Sequence, residues 1–200
     1  MKRELVFRAL AFAERAHRGQ FRKGTELPYL IHPLNAAAIL IEAGCEDEVI
    51  AAALLHDTLE DTRTTAADLA AEFGPEVTAF VEAVSQSDKS RSWEERKEST
   101  VASLRSMNER CLLVEIADKL DNIRTIHRDY ITHKERLWNR FKRSMADQCW
   151  YYRALLEIFQ ERLACTPHEN LLRDFRQEVE AVFGREEKPI PPSRGRRAEG

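Results

Sequence analysis

Apolar residues recur at three- and four-residue steps along most of this chain, and this spacing constrains its fold more than any other feature. The first segment predicts a helix that ends near Gly19 and has an apolar face formed by Leu5, Ala9, Phe12, Ala13 and Ala16. The chain has only seven glycines and seven prolines among 200 residues, which are few turn formers for a fold of many short strands. The pattern therefore predicts an all-α protein.

Glycines, prolines and helix-capping residues divide the rest of the chain into further predicted helices. Pro33 suits the first turn of a second helix that Gly44 would end, and residues 46–59 form a third helix that is almost entirely apolar in its middle. Capping signals predict helix starts at Thr65 with Asp68, at Ser92 with Glu95, and at Thr166 with Pro167 and Glu169. Phe73-Gly74 should end one helix and Pro75 open the next. Residues 111–126, residues 134–163 and a last segment that stops at Gly184 bring the prediction to a single bundle of about eight to ten helices.

The charge distribution separates a domain from a tail. The apolar fraction of 43% and the net charge of −3 exclude a disordered chain or one coated by nucleic acid. Residues 185–200 are rich in proline and carry a net charge of +2, so we expect an unstructured tail after a domain at residues 1–184. That domain then carries −5, and an anionic ligand would need a local basic patch.

Cysteine usage and the N-terminus bear on location. The four cysteines stand far apart, which favours reduced, packed thiols over a disulfide framework or a zinc ribbon. Arg8, Glu14 and Arg15 interrupt the first segment, and the longest apolar run, residues 49–55, is far shorter than a membrane span. We therefore expect a cytoplasmic protein that binds neither membrane nor nucleic acid.

Polar side chains interrupt the apolar helices at three places. The third helix suddenly carries His56, Asp57, Glu60 and Asp61, and burying unpaired carboxylates costs several kcal/mol. If that helix continues, His56 and Glu60 share one face, as do Asp57 and Asp61.

The other two interruptions lie further away in the sequence. The apolar run after Cys111 ends in Asp118, with Asn122 one turn beyond, and His32 lies between apolar residues at a helix start. Two imidazoles and two carboxylates would fill most of a six-coordinate shell for a hard or borderline ion such as Mn²⁺. Each signal alone has a plainer interpretation, because His32 could simply pack beside Pro33, and Asp118 could pair with Lys119.

Five stretches together resemble the HD-domain metal-dependent phosphohydrolases, and within them the alarmone hydrolase domain of the RelA/SpoT homologues. They are AHRGQFRKGTELPYLIHPLNAAAIL, AAALLHDTLEDTRTT, FGPEV, WEERK and IADKLDNIRTI, and they follow the order of the family. The likeness is strongest to the small stand-alone hydrolases, which include the metazoan SpoT homologue. Because the chain ends soon after these stretches, we expect hydrolysis without a synthetase activity.

The resemblance implies about ten helices around one Mn²⁺ and hydrolysis of (p)ppGpp, a nucleotide substrate, to GDP or GTP and pyrophosphate. It implies three groups of site residues: the metal ligands His32, His56, Asp57 and Asp118; the catalytic acids Glu60 and Asp61; and the substrate-binding residues Arg22, Lys23, Asn122 and Thr125. Physical chemistry agrees, since a metal lowers the pKa of bound water and a nearby carboxylate can take the proton.

Two alternatives remain for the function, and part of the chain has no assigned role. The same site could act as a phosphatase on another nucleotide such as NADPH, or it could bind alarmone without turnover. The aromatic residues Trp138, Phe141 and 150–152 are expected to be core residues. Lys142 and Arg143 could reach phosphates, although a solvated helix face is the plainer interpretation.

Overall fold

The computed structural model describes residues 3–85, 90–141 and 143–185, and all regular secondary structure within them is helical. Helices α1 to α9 are, in order, Glu4–Ala16, Ile31–Glu42, Asp47–Leu55, Thr58–Asp61, Ala66–Val84, Trp93–Leu104, Glu109–His133, Met145–Leu163 and Glu169–Phe183, with a 3-10 helix at Lys134–Arg140. One isolated antiparallel bridge joins Phe21 and Pro28 in the loop before α2. The predicted all-α fold is confirmed.

Helix α3 lies at the centre of the core. Its residues 49–55 are each at most 1% exposed, and the helix packs against α1, α2, α5 and α7. Neighbours on all sides explain why this segment is apolar around its whole circumference. The polar residues that follow it are therefore held against a rigid, close-packed interior.

The third helix ends earlier than predicted, at Leu55 instead of near residue 59. The Thr58 hydroxyl donates to the Leu55 carbonyl at 2.7 Å, and His56 Nδ1 lies 2.8 Å from the Ala53 carbonyl, so side chains satisfy carbonyls at the helix end. The short helix α4 follows. The predicted continuation of the third helix is therefore wrong, and the condition for placing His56 and Glu60 on one helix face is not met. The Asp61 amide still donates to the Asp57 carbonyl at 2.9 Å, which keeps these two acids one helical turn apart.

Two of the predicted capping boxes and one break are confirmed. Thr65 with Asp68 and Ser92 with Glu95 form reciprocal capping boxes at the starts of α5 and α6. Gly74, with φ +82°, interrupts α5 just before Pro75, which matches the predicted end of one helix and start of the next. This backbone conformation is accessible essentially to glycine alone.

Two other boundaries were predicted wrongly. The N-cap of α9 is His168, and Thr166 lies before it and accepts a hydrogen bond from the His168 amide instead of capping the helix. The segment 134–163 is not one helix, because the 3-10 helix leads into extended backbone at Phe141 and a capping box of Ser144 with Asp147 starts α8 anew.

Helix α9 ends at Phe183, where Gly184 has φ +79°, and the domain bounds 1–184 stay a prediction. Residues 186–200 lie outside the described residues, so the unstructured tail stays a prediction, and Lys142 also lies outside them. Among the described helices, none combines the length and the apolar character that crossing a bilayer requires.

Candidate metal centre and nucleotide cavity

Three of the predicted metal ligands form a buried cluster. His32 in the first turn of α2, His56 just after α3 and Asp118 in the middle of α7 bring one ligand atom each within 4.8 Å of one another. The two imidazole rings are edge-to-face, with centroids 5.0 Å apart, and His32 Nε2 lies 3.0 Å from Asp118 Oδ1. Residues that are far apart in sequence therefore meet at one point beside the end of the core helix.

The fourth predicted ligand, Asp57, lies against the same two imidazoles. Its Oδ2 is 3.0 Å from His56 Nε2 and 3.7 Å from His32 Nε2. The Tyr29 hydroxyl donates a hydrogen bond to the same oxygen. Asp57 is thus held between a tyrosine donor and the nitrogens of the cluster.

The outer ring nitrogens fix the orientation of both histidines. His56 Nδ1 donates to the Ala53 carbonyl, and His32 Nδ1 lies 2.6 Å from Asp121 Oδ2. Both Nε2 atoms therefore point into the cluster, which is how metal-ligating histidines are commonly held. His56 Nε2 is fully buried and has no hydrogen bond of adequate geometry. A buried nitrogen that faces a carboxylate at 3.0 Å without a hydrogen bond to it fits a cation ligand.

The charges of the cluster favour a cation at its centre. Burial opposes the charged form of His56, yet the facing carboxylates of Asp57 and Asp118 raise its pKa to about 10. Burial likewise disfavours the charged form of Asp57, but His56 and His32 hold the pKa of that carboxyl below its usual range. The same field that retains protons on the imidazoles would attract a divalent ion that displaces them.

Asp118 contacts three neighbours through its two carboxylate oxygens. Its Oδ1 faces His32 and accepts from Asn122 Nδ2 at 2.6 Å, while Oδ2 pairs with the buried ammonium of Lys119. Lys119 also lies 3.1 Å from Glu115, and these two acids raise its pKa despite burial. The ion pair with Lys119 that the sequence offered as an alternative is therefore present, and it coexists with the metal-type cluster.

The two predicted catalytic acids lie on α4, which follows directly after His56 and Asp57. Glu60 is half-buried and Asp61 is exposed. Asp61 Oδ2 lies 3.5 Å from the Tyr29 hydroxyl, which in turn bonds Asp57. The Asp61 carbonyl accepts a hydrogen bond from Gln20. Asp61 is therefore one hydroxyl group away from a proposed ligand.

A cavity of about 560 Å³ opens next to the cluster and contains all four predicted substrate-binding residues in its wall: Arg22, Lys23, Asn122 and Thr125. Arg22 donates to Asn122 Oδ1, and Asn122 donates to Asp118, so the cavity and the cluster share a wall. Among the described residues that line it, one is an acid, Asp129, and six are cations: Arg22, Lys23, Lys97, Lys119, Arg140 and Arg143. Cations thus outnumber acids in this wall, and four of the six also pair with carboxylates: Arg22, Lys119, Arg140 and Arg143.

Two further arginines lie near the loop between α1 and α2 that carries Arg22 and Lys23. Arg18 pairs with Glu14 at 2.8 Å, and Arg15 borders a separate surface depression together with Asp61. Neither lines the basic cavity. The N-terminal contribution to its charge comes from Arg22 and Lys23 alone among the described residues.

The plainer interpretation of the sequence placed four cavity residues elsewhere, three in the core and one on a solvated helix face. Phe141, Tyr151 and Tyr152 line the cavity as well as contributing to the core, and Arg143 lines it while paired with Glu94. The expectation that these aromatic residues serve only the core is incomplete, because Tyr151 and Tyr152 on α8 and Phe141 before it lie where the core meets the cavity.

Lys97 and Trp93 of α6 were also missed, although both lie in the WEERK stretch. Burial, and then the charge of Lys119, lower the pKa of Lys97 to about 8. Its ammonium lies 4.4 Å from the centre of the Tyr151 ring. The sequence did offer one signal for Lys97: this lysine follows the capping box of Ser92 and Glu95 by two residues, so its place on a helix was predictable.

These features define a metal-binding helical domain of a known class. The chain belongs to the HD domain family, which it matches over residues 9–143. It is 42% identical over 125 residues to guanosine-3′,5′-bis(diphosphate) 3′-pyrophosphohydrolase of Aquifex aeolicus, an alignment that covers 62% of this chain and 18% of that protein. The chain thus spans less than a fifth of that relative.

Two solved structures share the fold over most of their length. The crystal structure of lmo0812 from Listeria monocytogenes superposes with a TM-score of 0.71 at 35% identity, covering 77% of this chain and 99% of that one. A metazoan ortholog of SpoT that hydrolyses ppGpp superposes with a TM-score of 0.68 at 31% identity, covering 87% and 95%.

Proposed function

We propose that this protein is a Mn²⁺-dependent (p)ppGpp 3′-pyrophosphohydrolase that releases pyrophosphate and leaves GDP or GTP. The observation that carries the proposal is the shared wall between the His/His/Asp cluster and the basic cavity, formed by Asn122 between Asp118 and Arg22. The names of the relatives from Aquifex and from a metazoan point to the same substrate.

The metal would be held by His32, His56, Asp57 and Asp118. Two imidazole nitrogens and two carboxylates suit Mn²⁺ better than an ion that prefers thiolates. When bound, such an ion lowers the pKa of a coordinated water towards 7 and offsets charge on a phosphoryl oxygen. Tyr29, Ala53 and Asp121 keep the ligand atoms aimed at one point before any ion arrives.

The cavity would bind the nucleotide. Its volume of about 560 Å³ lies within the range of small-molecule sites, and its surplus of cations suits a substrate with four or five phosphates. Arg22 and Lys23 would lie against the guanine ring, since a guanidinium stacks on a flat base. Asn122 and Thr125 would contact the ribose and phosphates from α7.

Glu60 and Asp61 would act as general base and general acid in the reaction. One carboxylate would take a proton from the attacking water as the bond between phosphorus and the 3′ oxygen breaks. The carboxyl protonated in this way would then give that proton to the departing oxygen, which leaves as the ribose hydroxyl. A positioned acid or base of this kind contributes roughly 10²- to 10⁴-fold in rate. Asp61 is supported in this role by its distance of 3.5 Å from the Tyr29 hydroxyl.

We also propose that the enzyme acts in the cytoplasm. All four cysteines are free, and reduced thiols are maintained there.

Pyrophosphate release from ppGpp by the purified protein with Mn²⁺ tests the proposal. We expect turnover that chelation abolishes and that Glu60→Gln lowers at least 100-fold with an unchanged melting temperature. Glu161→Gln, in an exposed ion pair with Arg105, serves as the matched control. A parallel assay with NADPH tests the alternative phosphatase, and tight ppGpp binding without turnover would instead identify an alarmone-binding module.

A further inference from the structure

Asp121 is a buried carboxylate, 3% exposed, that the sequence analysis did not assign to the site. It lies one turn after Asp118 on α7 and receives three side chains from other parts of the chain. His32 Nδ1 lies 2.6 Å from Oδ2, Asn35 Nδ2 donates to Oδ1 at 2.8 Å, and an Arg22 nitrogen lies 3.4 Å from Oδ2. One carboxylate therefore contacts a proposed metal ligand and a proposed substrate-binding residue at once.

Its contact with His32 determines which ring nitrogen is available to a metal. Asp121 and Asp118 lie on opposite edges of the imidazole, the first against Nδ1 and the second 3.0 Å from Nε2. A carboxylate can only accept, so it holds the proton on Nδ1 and leaves the lone pair of Nε2 facing the cluster. Loss of such an outer partner typically weakens metal binding 10- to 100-fold.

Its contact with Arg22 reaches the other half of the site. The Arg22 side chain is 17% exposed and lies between Asp121 and the Asn122 amide oxygen, at the wall of the basic cavity. Arg22 belongs to the loop before α2, whereas Asp121 belongs to α7. The ion pair thus joins the loop to the helix that carries Asp118.

We propose that Asp121 is a positioning residue that aims His32 Nε2 at the metal and, with the same carboxylate, holds Arg22 at the nucleotide cavity. The part that concerns Arg22 rests on the proposed function, whereas the part that concerns His32 rests only on metal binding. Asp121→Asn tests both parts, because an amide of the same shape removes the charge and can present a donor to His32 Nδ1.

The first measurement is the affinity and visible spectrum of Co²⁺ bound to the protein. We expect Asp121→Asn to weaken Co²⁺ binding 10- to 100-fold and to shift the ligand-field bands, because the tautomer of His32 is no longer fixed. Arg22→Met is the matched control, since it removes the ion pair and leaves the His32 contact, and its Co²⁺ affinity should stay within about twofold of wild type. Equal affinity and identical spectra for Asp121→Asn and wild type would overturn the proposal.

A second measurement needs no variant and so does not depend on the folding of one. In the Zn²⁺-loaded wild-type protein, ¹⁵N-edited NMR of the imidazoles should show His32 protonated at Nδ1, with slow exchange of that proton. Coordination through Nδ1 would contradict the assigned role.

Steady-state kinetics test the part of the proposal that concerns Arg22. Arg22→Met should raise KM for ppGpp with little change in metal affinity, and Asp121→Asn should change both. If no variant or wild type hydrolyses ppGpp but the Co²⁺ results hold, the proposed function fails and the positioning of His32 stands.

Discussion

The Tyr29 hydroxyl donates a hydrogen bond to Asp57 Oδ2 at 2.6 Å. Burial, and then the charge of Asp57, raise the pKa of Tyr29 well above its usual range, so the phenol remains a donor at any physiological pH. A proposed metal ligand is thereby oriented from the loop that also contributes to the nucleotide cavity.

Tyr29→Phe should weaken Mn²⁺ binding about 10-fold, because hydrogen bonds to charged groups contribute about 1.5–3 kcal/mol and orient the ligand. Competition with a fluorescent chelator measures this. Tyr130→Phe removes a hydroxyl that bonds the remote Glu135 and should leave the affinity unchanged. An equal loss in both variants would show that the Tyr29 contact has no specific role.

Metal removal should lower the stability of the protein. A ligand that binds only the folded state stabilises it by about 2.7 kcal/mol at a concentration 100 times its Kd. We therefore expect the melting temperature to rise when Mn²⁺ is added to EDTA-treated protein, as measured by calorimetry. The rise should disappear in Asp118→Asn, and its persistence there would place the ion elsewhere.

The stability of the metal-free protein should fall between about pH 6.5 and pH 10. The pKa of His56 is raised from its ordinary value to about 10 in the folded state, so the stabilisation by its proton is complete below pH 6.5 and is lost as the pH rises towards 10. One such proton corresponds to a slope of up to about 1.4 kcal/mol per pH unit. Urea unfolding at pH 6, 7.5 and 9 measures the slope, which His56→Gln should reduce.

Arg143→Met should raise KM for ppGpp about 10-fold with a smaller effect on kcat. Arg143 lines the cavity while paired with Glu94 and is none of the proposed metal ligands, so we expect its loss to remove a charge that would bind phosphate. Pyrophosphate release as a function of ppGpp concentration separates the two constants. Arg105→Met, at an exposed pair with Glu161, is the control and should change neither.

Gly74→Ala should destabilise the fold by about 1–3 kcal/mol, although an added methyl group would meet no atom within 4 Å. The cost arises from φ +82° at the break in α5. Urea unfolding tests this, with the exposed Ala79→Ser as a control expected to lie within about 0.5 kcal/mol of wild type. If Gly74→Ala lowered the free energy of unfolding by less than about 0.5 kcal/mol, the backbone at residue 74 would have adopted another conformation at little cost.

The sequence predicted helix boundaries best where the boundary depends on interactions between residues that are close in sequence. The capping pairs at Thr65 and Ser92 and the glycine at residue 74 were located because their signals lie within a few residues. The end of α3 was missed because it depends on the Thr58 hydroxyl bonding a carbonyl behind it, which competes with a pattern that favours continuation.

The site residues likewise divide into those that the sequence predicted and those that it did not. His32, His56, Asp57 and Asp118 stood out as polar groups at the ends of apolar helices, and they do converge. Asp121, Tyr29 and Lys97 did not stand out, because their importance comes from partners such as His32, which is 89 residues from Asp121. Contacts at that separation are set by helix packing, which a single sequence does not display.

The proposed ligands extend from residue 32 to residue 118, and this order has a consequence for synthesis. A ribosome-bound chain that has exposed only α1 to α6 already carries His32, His56 and Asp57 but lacks Asp118 and Asp121 from α7. At about 5–20 residues per second, several seconds separate the first ligand from the last. The proposed ligand set is thus complete only after α7 has been synthesised, and a nascent chain stalled before α7 lacks the carboxylate of Asp118.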